Sequence, residues 1–208
     1  MEEKKQIILE NVGKLYLKHG IKSITMDDVA QEFGISKKTL YQFFKDKESL
    51  VEEVINYYME NPHFNLNDEN NGNPIDRIFA LRIHLASILR VYNNNLEFDL
   101  KKQYPALYKK LHDFKRKKIL NDNILNIEDG KKQGLFRKDI DTEFISKLNV
   151  GRMLLTMNPD HNIFDESELA SIEIFDKTID YHLHGICTEK GLKYYKEQLN
   201  SLQNEKQN

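Results

Sequence analysis

The chain has 208 residues, a formal net charge of -2 and a single cysteine, Cys187. One cysteine excludes an internal disulfide framework and a zinc site built only from cysteines. No apolar run reaches the roughly 20 residues that a membrane span needs. Residues 1–6 lack the apolar stretch of a secretory leader, so we expect a cytoplasmic protein without membrane contact. Nine glycines and four prolines are few for this length and favour long helices.

Apolar residues at helical spacing predict four helices in the first 60 residues. The first carries an apolar stripe over residues 8–16 and ends at Gly20. Each of the next three helices follows a side chain that is typical of an N-cap, and these are Thr25 (with Asp28 in a capping-box position), Ser36 and Asp46.

The helical pattern breaks over residues 61–74, which contain six asparagines, one glycine and two prolines. This composition predicts a loop, either a hinge between two domains or a plain surface loop. Beyond it, apolar periodicity predicts helices over residues 74–92, 104–132, 142–157 and 166–186. We find no strand and no repeat, so the sequence predicts an all-α protein of about nine helices.

The strongest functional signal lies between Thr25 and Leu50. Two short helices separated by Gly34-Ile35-Ser36 form a helix-turn-helix, in which Leu40 and Phe44 face the core. The opposite face of the second helix and its continuation are polar and mostly basic, with Lys37, Lys38, Thr39, Tyr41, Gln42, Lys45 and Lys47.

This positive charge is local. The segment from Ser36 to Lys47 holds four lysines and one acidic residue, whereas the chain beyond residue 50 holds 22 basic and 25 acidic residues. Lysines and hydroxyls bind phosphates, and side chains near the start of a recognition helix contact base edges. The pattern therefore predicts that this helix binds double-stranded DNA.

Residues 7–50 resemble the tetracycline-repressor (TetR) family of bacterial transcription regulators. The resemblance rests on His19-Gly20, on Ile24 to Ala30 (Ile-Thr-Met-Asp-Asp-Val-Ala) and on Phe33 to Leu50 (Phe-Gly-Ile-Ser-Lys-Lys-Thr-Leu-Tyr-Gln-Phe-Phe-Lys-Asp-Lys-Glu-Ser-Leu). Gly134-Leu135-Phe136, followed by Asp139-Ile140-Asp141, is similar to the bend after the family's long seventh helix.

The resemblance implies a role for individual residues. Thr25, Tyr41 and Lys47 stand at positions that commonly bind phosphate in the family. Ser36, Lys37, Lys38 and Thr39 stand at the start of the recognition helix. Phe43 departs from the pattern, because many relatives have histidine or another polar aromatic residue there.

The resemblance also implies two domains, a three-helix DNA-binding domain over residues 1–50 and a helical effector-binding and dimerisation domain over residues 51–208. The function implied is that of a homodimeric regulator, usually a repressor, which a small molecule releases from a palindromic operator. The fourth helix, about Lys47 to Glu60, is then expected to act as the lever between the domains.

The helices over residues 142–157 and 166–186 are expected to pair with the same helices of a second chain as a four-helix bundle. The side chains expected in this dimer interface are Leu148, Gly151, Leu155, Phe175, Ile179 and Leu183. The competing interpretation is that they serve only the core of their own chain.

Aromatic and thioether side chains on the later helices predict an effector pocket among residues 74–92, 104–132 and 142–157. The candidates are Phe79, Tyr92, Tyr104, Tyr108, Phe136, Met153 and Met157, with His84 and His112 as polar groups. For any one of them, filling the core is the competing interpretation. Because arginine is scarce on the inner stripes, we expect an apolar or aromatic effector.

The main alternative function is a helical adaptor that binds a protein through the same exposed face. No phosphate loop or nucleophile motif is present, so no enzymatic activity and no cofactor is predicted. His182 and His184 are two residues apart on a predicted helix and face different ways, which argues against a metal site. A second basic cluster, Lys109 to Lys118, is expected to be a solvated helix face.

Overall fold

The computed structural model describes residues 2–90, 95–156, 163–165, 168 and 171–205. These residues form ten α-helices and no strand, with one isolated bridge between Phe136 and Cys187. The all-α fold class is therefore confirmed. In chain order the helices are α1 (Glu2–His19), α2 (Met26–Glu32), α3 (Lys37–Phe43), α4 (Lys47–Glu60), α5 (Pro74–Leu89), α6 (Asn95–Gln103), α7 (Pro105–Lys132), α8 (Thr142–Thr156), α9 (Ile172–Ile186) and α10 (Glu189–Glu205).

One predicted helix starts later than expected. The helix predicted over residues 166–186 begins at Ile172, because Ser171 caps it by accepting a hydrogen bond from the Glu173 backbone N–H at 3.1 Å. Residues 166–167 and 169–170 lie outside the described residues. The segment predicted as a loop over residues 61–74 contains only a short 3-10 turn, Glu69–Asn71, before α5 begins.

The described residues divide into two compact units. Unit one consists of residues 1–63 with 90–115, and unit two consists of residues 64–89 with 116–208. The boundary between them falls within α7, and α4 lies wholly in unit one. These are units of packing, so the functional division at residue 50 stays a prediction.

Unit one is built around a buried apolar cluster that fixes the helix-turn-helix. α1 supplies one stripe of this core, and α2, α3 and α4 pack onto it. Leu100 of α6 and Leu111 of α7 belong to the same cluster. The side chains of this cluster that are at most 2% exposed are Ile8, Val12, Tyr16, Ile21, Val29, Leu40, Phe44, Leu50, Val51 and Leu100.

Unit two has a separate core in which α5, α7, α9 and α10 meet. Its centre is Phe136, which follows α7 in the chain and is fully buried. Gly130 makes room for this ring, since a Cβ built at Gly130 would lie 2.0 Å from a ring carbon of Phe136. None of the described helices has the length and apolarity that a membrane span requires.

Candidate nucleic-acid interface

The helix-turn-helix begins with the capping box at the start of α2. The Thr25 Oγ1 accepts a hydrogen bond from the Asp28 backbone N–H at 3.2 Å, and the Thr25 backbone N–H donates to Asp28 Oδ2 at 2.8 Å. Hydrogen bonds from Thr25 lower the pKa of the Asp28 carboxyl below its ordinary value. The predicted cap therefore forms, and it fixes where α2 starts.

The turn between α2 and α3 requires a glycine. Gly34 has φ = 58°, in the left-handed region that other residues adopt only with strain. The following Ile35 backbone N–H donates to the Ala30 carbonyl at 3.0 Å, which closes the turn. The chain then enters α3 at Ser36, whose hydroxyl caps the helix by accepting from the Thr39 backbone N–H at 3.1 Å.

Helix α3 is anchored on one side and free on the other. Leu40 is the buried residue of this helix, and Phe44 directly after it is also buried. Phe43 is half-buried beside Phe44, with the ring centroids 6.3 Å apart. The structure places the remaining predicted side chains on the exposed surface of the same short segment, and these are Lys37, Lys38, Tyr41, Gln42 and Lys45, with Thr39 half-buried.

Some of these groups already have intramolecular partners. The Lys37 ammonium lies 2.6 Å from a carboxylate oxygen of Asp27 on α2, and both side chains are well exposed. The Ser36 and Thr39 hydroxyls are 2.8 Å apart and share a hydrogen bond. A DNA contact by Lys37 or Thr39 therefore competes with a weak local interaction.

Lys47 differs from the other lysines of this surface. Its ammonium donates to the Lys22 carbonyl at 3.3 Å, so the side chain lies against the turn between α1 and α2. Burial lowers the pKa of Lys47, while Asp99 and Asp28 oppose that shift. A phosphate contact from Lys47, as the resemblance implies, starts from this half-buried position.

Asp99 is a residue of this unit that the sequence did not single out. It lies on α6, is 5% exposed, and its Oδ2 accepts a hydrogen bond from the Lys22 backbone N–H at 2.7 Å. Lys22 thus donates to Asp99 through its backbone N–H and accepts from Lys47 through its backbone carbonyl. Lys22 and Asp99 are 77 residues apart in the chain, so no local pattern indicates their contact.

The nine effector candidates are not brought together in one unit. Tyr104, Tyr108 and His112 belong to unit one, whereas Phe79, His84, Phe136 and Met153 belong to unit two. Tyr92 and Met157 lie outside the described residues. Their role in effector binding stays a prediction.

Two small cavities lie beside some of these candidates. In unit two, a cavity of about 30 Å³ is lined by Phe79 with Arg82 and Phe175. In unit one, a cavity of about 10 Å³ is lined by Tyr108 and His112. Both are far smaller than the roughly 300–1,000 Å³ of a typical ligand pocket, so neither holds a drug-sized molecule without rearrangement.

The dimer candidates also fall into different environments. Leu148 is 57% exposed, Gly151 is partly exposed, and Phe175 is half-buried. Ile179 and Leu183 are buried in the core of unit two, so in this structure they serve their own chain. The Leu155 side chain lies outside the part of the molecule that the structure describes. The exposed apolar residues of α8 and α9 are Phe144, Leu148 and Tyr181.

The histidine pair and the cysteine have distinct surroundings. Burial and the positive charge of Arg152 lower the pKa of His182 to about 4. The His184 ring lies 2.8 Å from the Asp180 carbonyl, one turn earlier in α9. Cys187 is buried, and burial raises the pKa of its thiol to about 12. Across the described ranges, no cluster of three or more candidate metal ligands occurs.

The second helix of this helix-turn-helix is exposed and carries several lysines. This arrangement is that of a DNA-binding helix-turn-helix protein. Comparison with known families agrees, because residues 8–54 match the profile of the "Bacterial regulatory proteins, tetR family". Residues 8–54 therefore form a DNA-binding segment of the TetR type, and the chain as a whole is similar to TetR-family transcriptional regulators.

The HTH-type transcriptional regulator YuxN of Bacillus subtilis is 37% identical over 60 residues, which cover 29% of this chain and 21% of YuxN. The chain therefore matches about a fifth of the length of that relative. The HTH-type transcriptional regulator YvaF of the same organism is 22% identical over 186 residues, which cover 88% of this chain and 95% of YvaF.

The fold extends beyond the matched DNA-binding segment. A crystal structure of a transcriptional regulator from Cytophaga hutchinsonii superposes with a TM-score of 0.68 at 22% identity, covering 89% of this chain and 99% of the other. The helical arrangement after residue 54 is thus shared with a solved regulator, although at this identity the likeness speaks only for the fold.

Proposed function

We propose that this regulator is a cytoplasmic, homodimeric repressor that binds a palindromic operator and is released by a small molecule. The observation that carries the proposal is the surface of α3. A short helix is fixed by the buried Leu40 and Phe44, capped by Ser36, and left with an exposed basic face. Such a face fits the major groove, where phosphates attract the lysines.

The proposed contacts divide into two kinds. Side chains in the first turn of α3, namely Ser36, Lys37, Lys38 and Thr39, contact base edges and set sequence preference. Thr25, Tyr41, Gln42, Lys45 and Lys47 lie around this turn and position the helix through phosphates. The exposed ring of Tyr41 (47% exposed) supports its place at the DNA surface.

The homodimer and the effector complete the proposal. Exposed apolar side chains on α8 and α9 support a two-fold interface, which would present two copies of α3 to symmetric half-sites. An effector in unit two acts only if it binds one conformation better than the other. With α4 as the lever, that conformation is one in which the two α3 helices no longer fit the operator.

Selection of DNA fragments from a random pool tests the DNA-binding part directly. Retained fragments are expected to share a palindrome, and fluorescence polarisation should show affinity that falls log-linearly with salt, with a slope of about 0.9 per phosphate contact. The variant Thr39→Ala should lose preference among sequences at a cost of about 1–3 kcal/mol. The variant Lys45→Ala should weaken all sequences alike.

Matched controls make the result specific. Lys193→Ala removes a comparable exposed lysine from α10 in unit two and should leave DNA binding unchanged. If no sequence is enriched and the affinity does not depend on salt, the repressor proposal is wrong. The same face would then be better explained as the protein-binding surface of an adaptor.

A further inference from the structure

Unit two contains a line of polar side chains between α7 and α8 that nothing in the proposed DNA contacts uses. We call it the polar seam. Hydrogen bonds join Asn123 on α7 to Asn149 and Arg152 on α8. Asn126 and Ser146 lie one helical turn from Asn123 and Asn149, and the Asn126 side-chain amide donates to the Pro74 carbonyl at 3.1 Å. Asn126 and Asn149 are each 5% exposed and Ser146 is fully buried. Buried polar groups need hydrogen-bond partners, because an unmade bond costs free energy.

Hydrogen bonds within the seam connect α7 and α8, but they do not satisfy all of its polar atoms. The Asn149 side-chain amide donates to Asn123 Oδ1 at 2.5 Å, and the Arg152 guanidinium donates to Asn149 Oδ1. Among the residues that the structure describes, Ser146 Oγ, Asn126 Oδ1 and Arg152 Nε have no hydrogen-bond partner.

Arg152 is the charged member of the seam. In the part of the chain that the structure describes, it forms no ion pair with a carboxylate, in contrast to Arg82, which binds Asp176 through two hydrogen bonds of 2.6 Å. Burial lowers the pKa of the Arg152 guanidinium, and Tyr181, rather than a carboxylate, opposes the shift. A half-buried cation without a counter-ion is costly unless an anion joins it.

The charges around Arg152 favour a ligand with a single negative charge. His182 on α9 lies close enough for the Arg152 charge to act on it, and its pKa of about 4 keeps the imidazole neutral near pH 7. Within the described ranges, no carboxylate therefore balances the positive charge of Arg152. A carboxylate balances it one to one and matches the planar guanidinium, whereas a phosphate dianion would leave an excess negative charge buried.

We propose that the polar seam is the recognition site for the carboxylate of a small organic acid, with Arg152 as its ionic partner. The inference rests on the proposed effector function and deepens it, because it names the effector's chemical class. It also amends the expectation of an apolar or aromatic effector, because it adds an anionic group. That expectation relied on the scarcity of arginine on the inner stripes, and the structure places the half-buried Arg152 beside Asn149.

The closed state of the seam gives binding a conformational consequence. No space for a carboxylate is left around the unsatisfied atoms, since each is enclosed. Entry of the acid therefore requires the side chains or helices around these atoms to move, and the new hydrogen bonds offset that cost. Binding that is tied to such a movement favours one conformation over another, which effector action requires.

The test uses the full-length protein and a panel of probes. These are acetate, hexanoate, octanoate, benzoate and phenylacetate, with octanamide as an uncharged analogue and inorganic phosphate as a different anion. Thermal unfolding is measured at rising probe concentration for the wild type, for Arg152→Met and for Arg137→Gln. Arg137 is an exposed arginine of unit two that pairs with Asp139, so it is the matched control.

We expect at least one carboxylate to stabilise the wild type and Arg137→Gln alike, and octanamide to have no comparable effect. Arg152→Met should need a concentration of that carboxylate at least about tenfold higher, the typical loss of a charge-assisted contact. Without ligand, Arg152→Met should unfold at the same or a higher temperature, because a cation without a counter-ion is removed.

Several results would overturn the proposal. One is that no carboxylate stabilises the wild type more than Arg152→Met, and another is that phosphate alone does so. Conversion of a dimer to a monomer by Arg152→Met would assign the residue to a partner chain instead. DNA binding by wild type and Arg152→Met is measured in parallel. If both bind DNA but no carboxylate binds, the inference fails while the repressor proposal stands.

Discussion

At the scale of single residues, the ion pair between Lys37 and Asp27 sets the charge available to DNA. Asp27 holds a carboxylate 2.6 Å from the lysine that starts α3. An exposed pair of this kind contributes only about 0.2–1 kcal/mol, so a contact with DNA can replace the carboxylate as the partner of Lys37. The aspartate nevertheless places a negative charge beside the proposed interface.

Replacing this carboxylate is expected to strengthen DNA binding. In Asp27→Asn the Lys37 ammonium is free and a repulsive charge is gone, so affinity should rise by up to about fivefold. Discrimination among DNA sequences should be at least as strong as in the wild type, because Lys37 is proposed to contact base edges. Glu173→Gln, which breaks an exposed ion pair on α9, is the control and should change neither quantity. Weaker binding by Asp27→Asn would contradict the proposed orientation of α3.

His182 predicts how stability depends on pH. Its pKa is about 4 in the folded protein and 6.5 in an unfolded chain, so the unfolded state binds more protons below pH 6.5. Stability is therefore lost as pH falls from about 6.5 through about 4, by at most about 1.4 kcal/mol per pH unit. The variant His182→Gln should lack this component.

Urea unfolding at several pH values measures the effect. The difference in unfolding free energy between wild type and His182→Gln should be constant above pH 7 and shift in favour of the variant below pH 6. The exposed His184, in the same helix, serves as the control through His184→Gln. Parallel pH curves for wild type and His182→Gln would show that this imidazole is not kept neutral by the fold.

The residues of the candidate DNA interface were accessible to sequence reasoning because their determinants are local. Caps at Thr25, Ser36 and Asp46 form as predicted, and Gly34 takes the positive φ that the turn needs. Asp99 was not accessible, since its partner Lys22 is distant in the chain. Arg152 was missed for a similar reason, because its burial depends on how α8 packs.

At the scale of elements, helix α10 depends on a close approach at Gly191. A Cβ built there would lie 2.1 Å from the Leu135 carbonyl oxygen, a backbone atom that cannot turn aside. The helix therefore packs against the segment after α7 only because residue 191 has no side chain.

The substitution Gly191→Ala is expected to destabilise unit two by about 1–3 kcal/mol, the usual cost of overpacking. Gly185→Ala is the matched control. Gly185 also lies in a helix, but a Cβ built there meets no atom within 4 Å. That variant should be neutral or up to about 1 kcal/mol more stable. The measurement is the thermal unfolding of the wild type and of both variants. Equal stability of Gly191→Ala and Gly185→Ala would contradict the tight packing at Gly191.

Most helices follow from apolar periodicity, and the two that were not predicted separately show its limits. α6 (Asn95–Gln103) buries a charged residue, Asp99, which a pattern assigns to the surface. α10 is rich in charge, but Leu192, Tyr195 and Leu199 recur at helical spacing and Thr188 stands before it. The Thr188 hydroxyl accepts a hydrogen bond from the Gly191 backbone N–H at 3.1 Å, so this signal could have identified the helix.

At the scale of the whole molecule, the proposed dimer depends on the apolar face that α8 and α9 expose. Phe144, Leu148 and Tyr181 are 60%, 57% and 79% exposed, although each is large and mostly apolar. Phe144 and Leu148 lie one helical turn apart and so share one face of α8. Exposed apolar side chains that share a face are typical of an interface between chains.

Charge on this face should prevent assembly. Leu148→Lys is expected to give a monomer by light scattering at micromolar concentration, where the wild type gives twice the chain mass. Ile83→Lys, at an equally exposed apolar residue of α5, is the control and should remain dimeric. The monomer should bind a palindrome far more weakly, because half-sites then bind independently. A wild-type monomer would overturn the proposed dimer.

The burial of Cys187 gives the molecule an internal reporter of unfolding. Thiol reagents react with the thiolate, and a pKa of about 12 in a buried position leaves almost none of it available in the folded state. Because the chain has one cysteine, the rate of labelling measures only the opening of the region around the Phe136–Cys187 bridge. A ligand that stabilises unit two should slow this labelling in proportion to its occupancy, without any added dye or engineered residue.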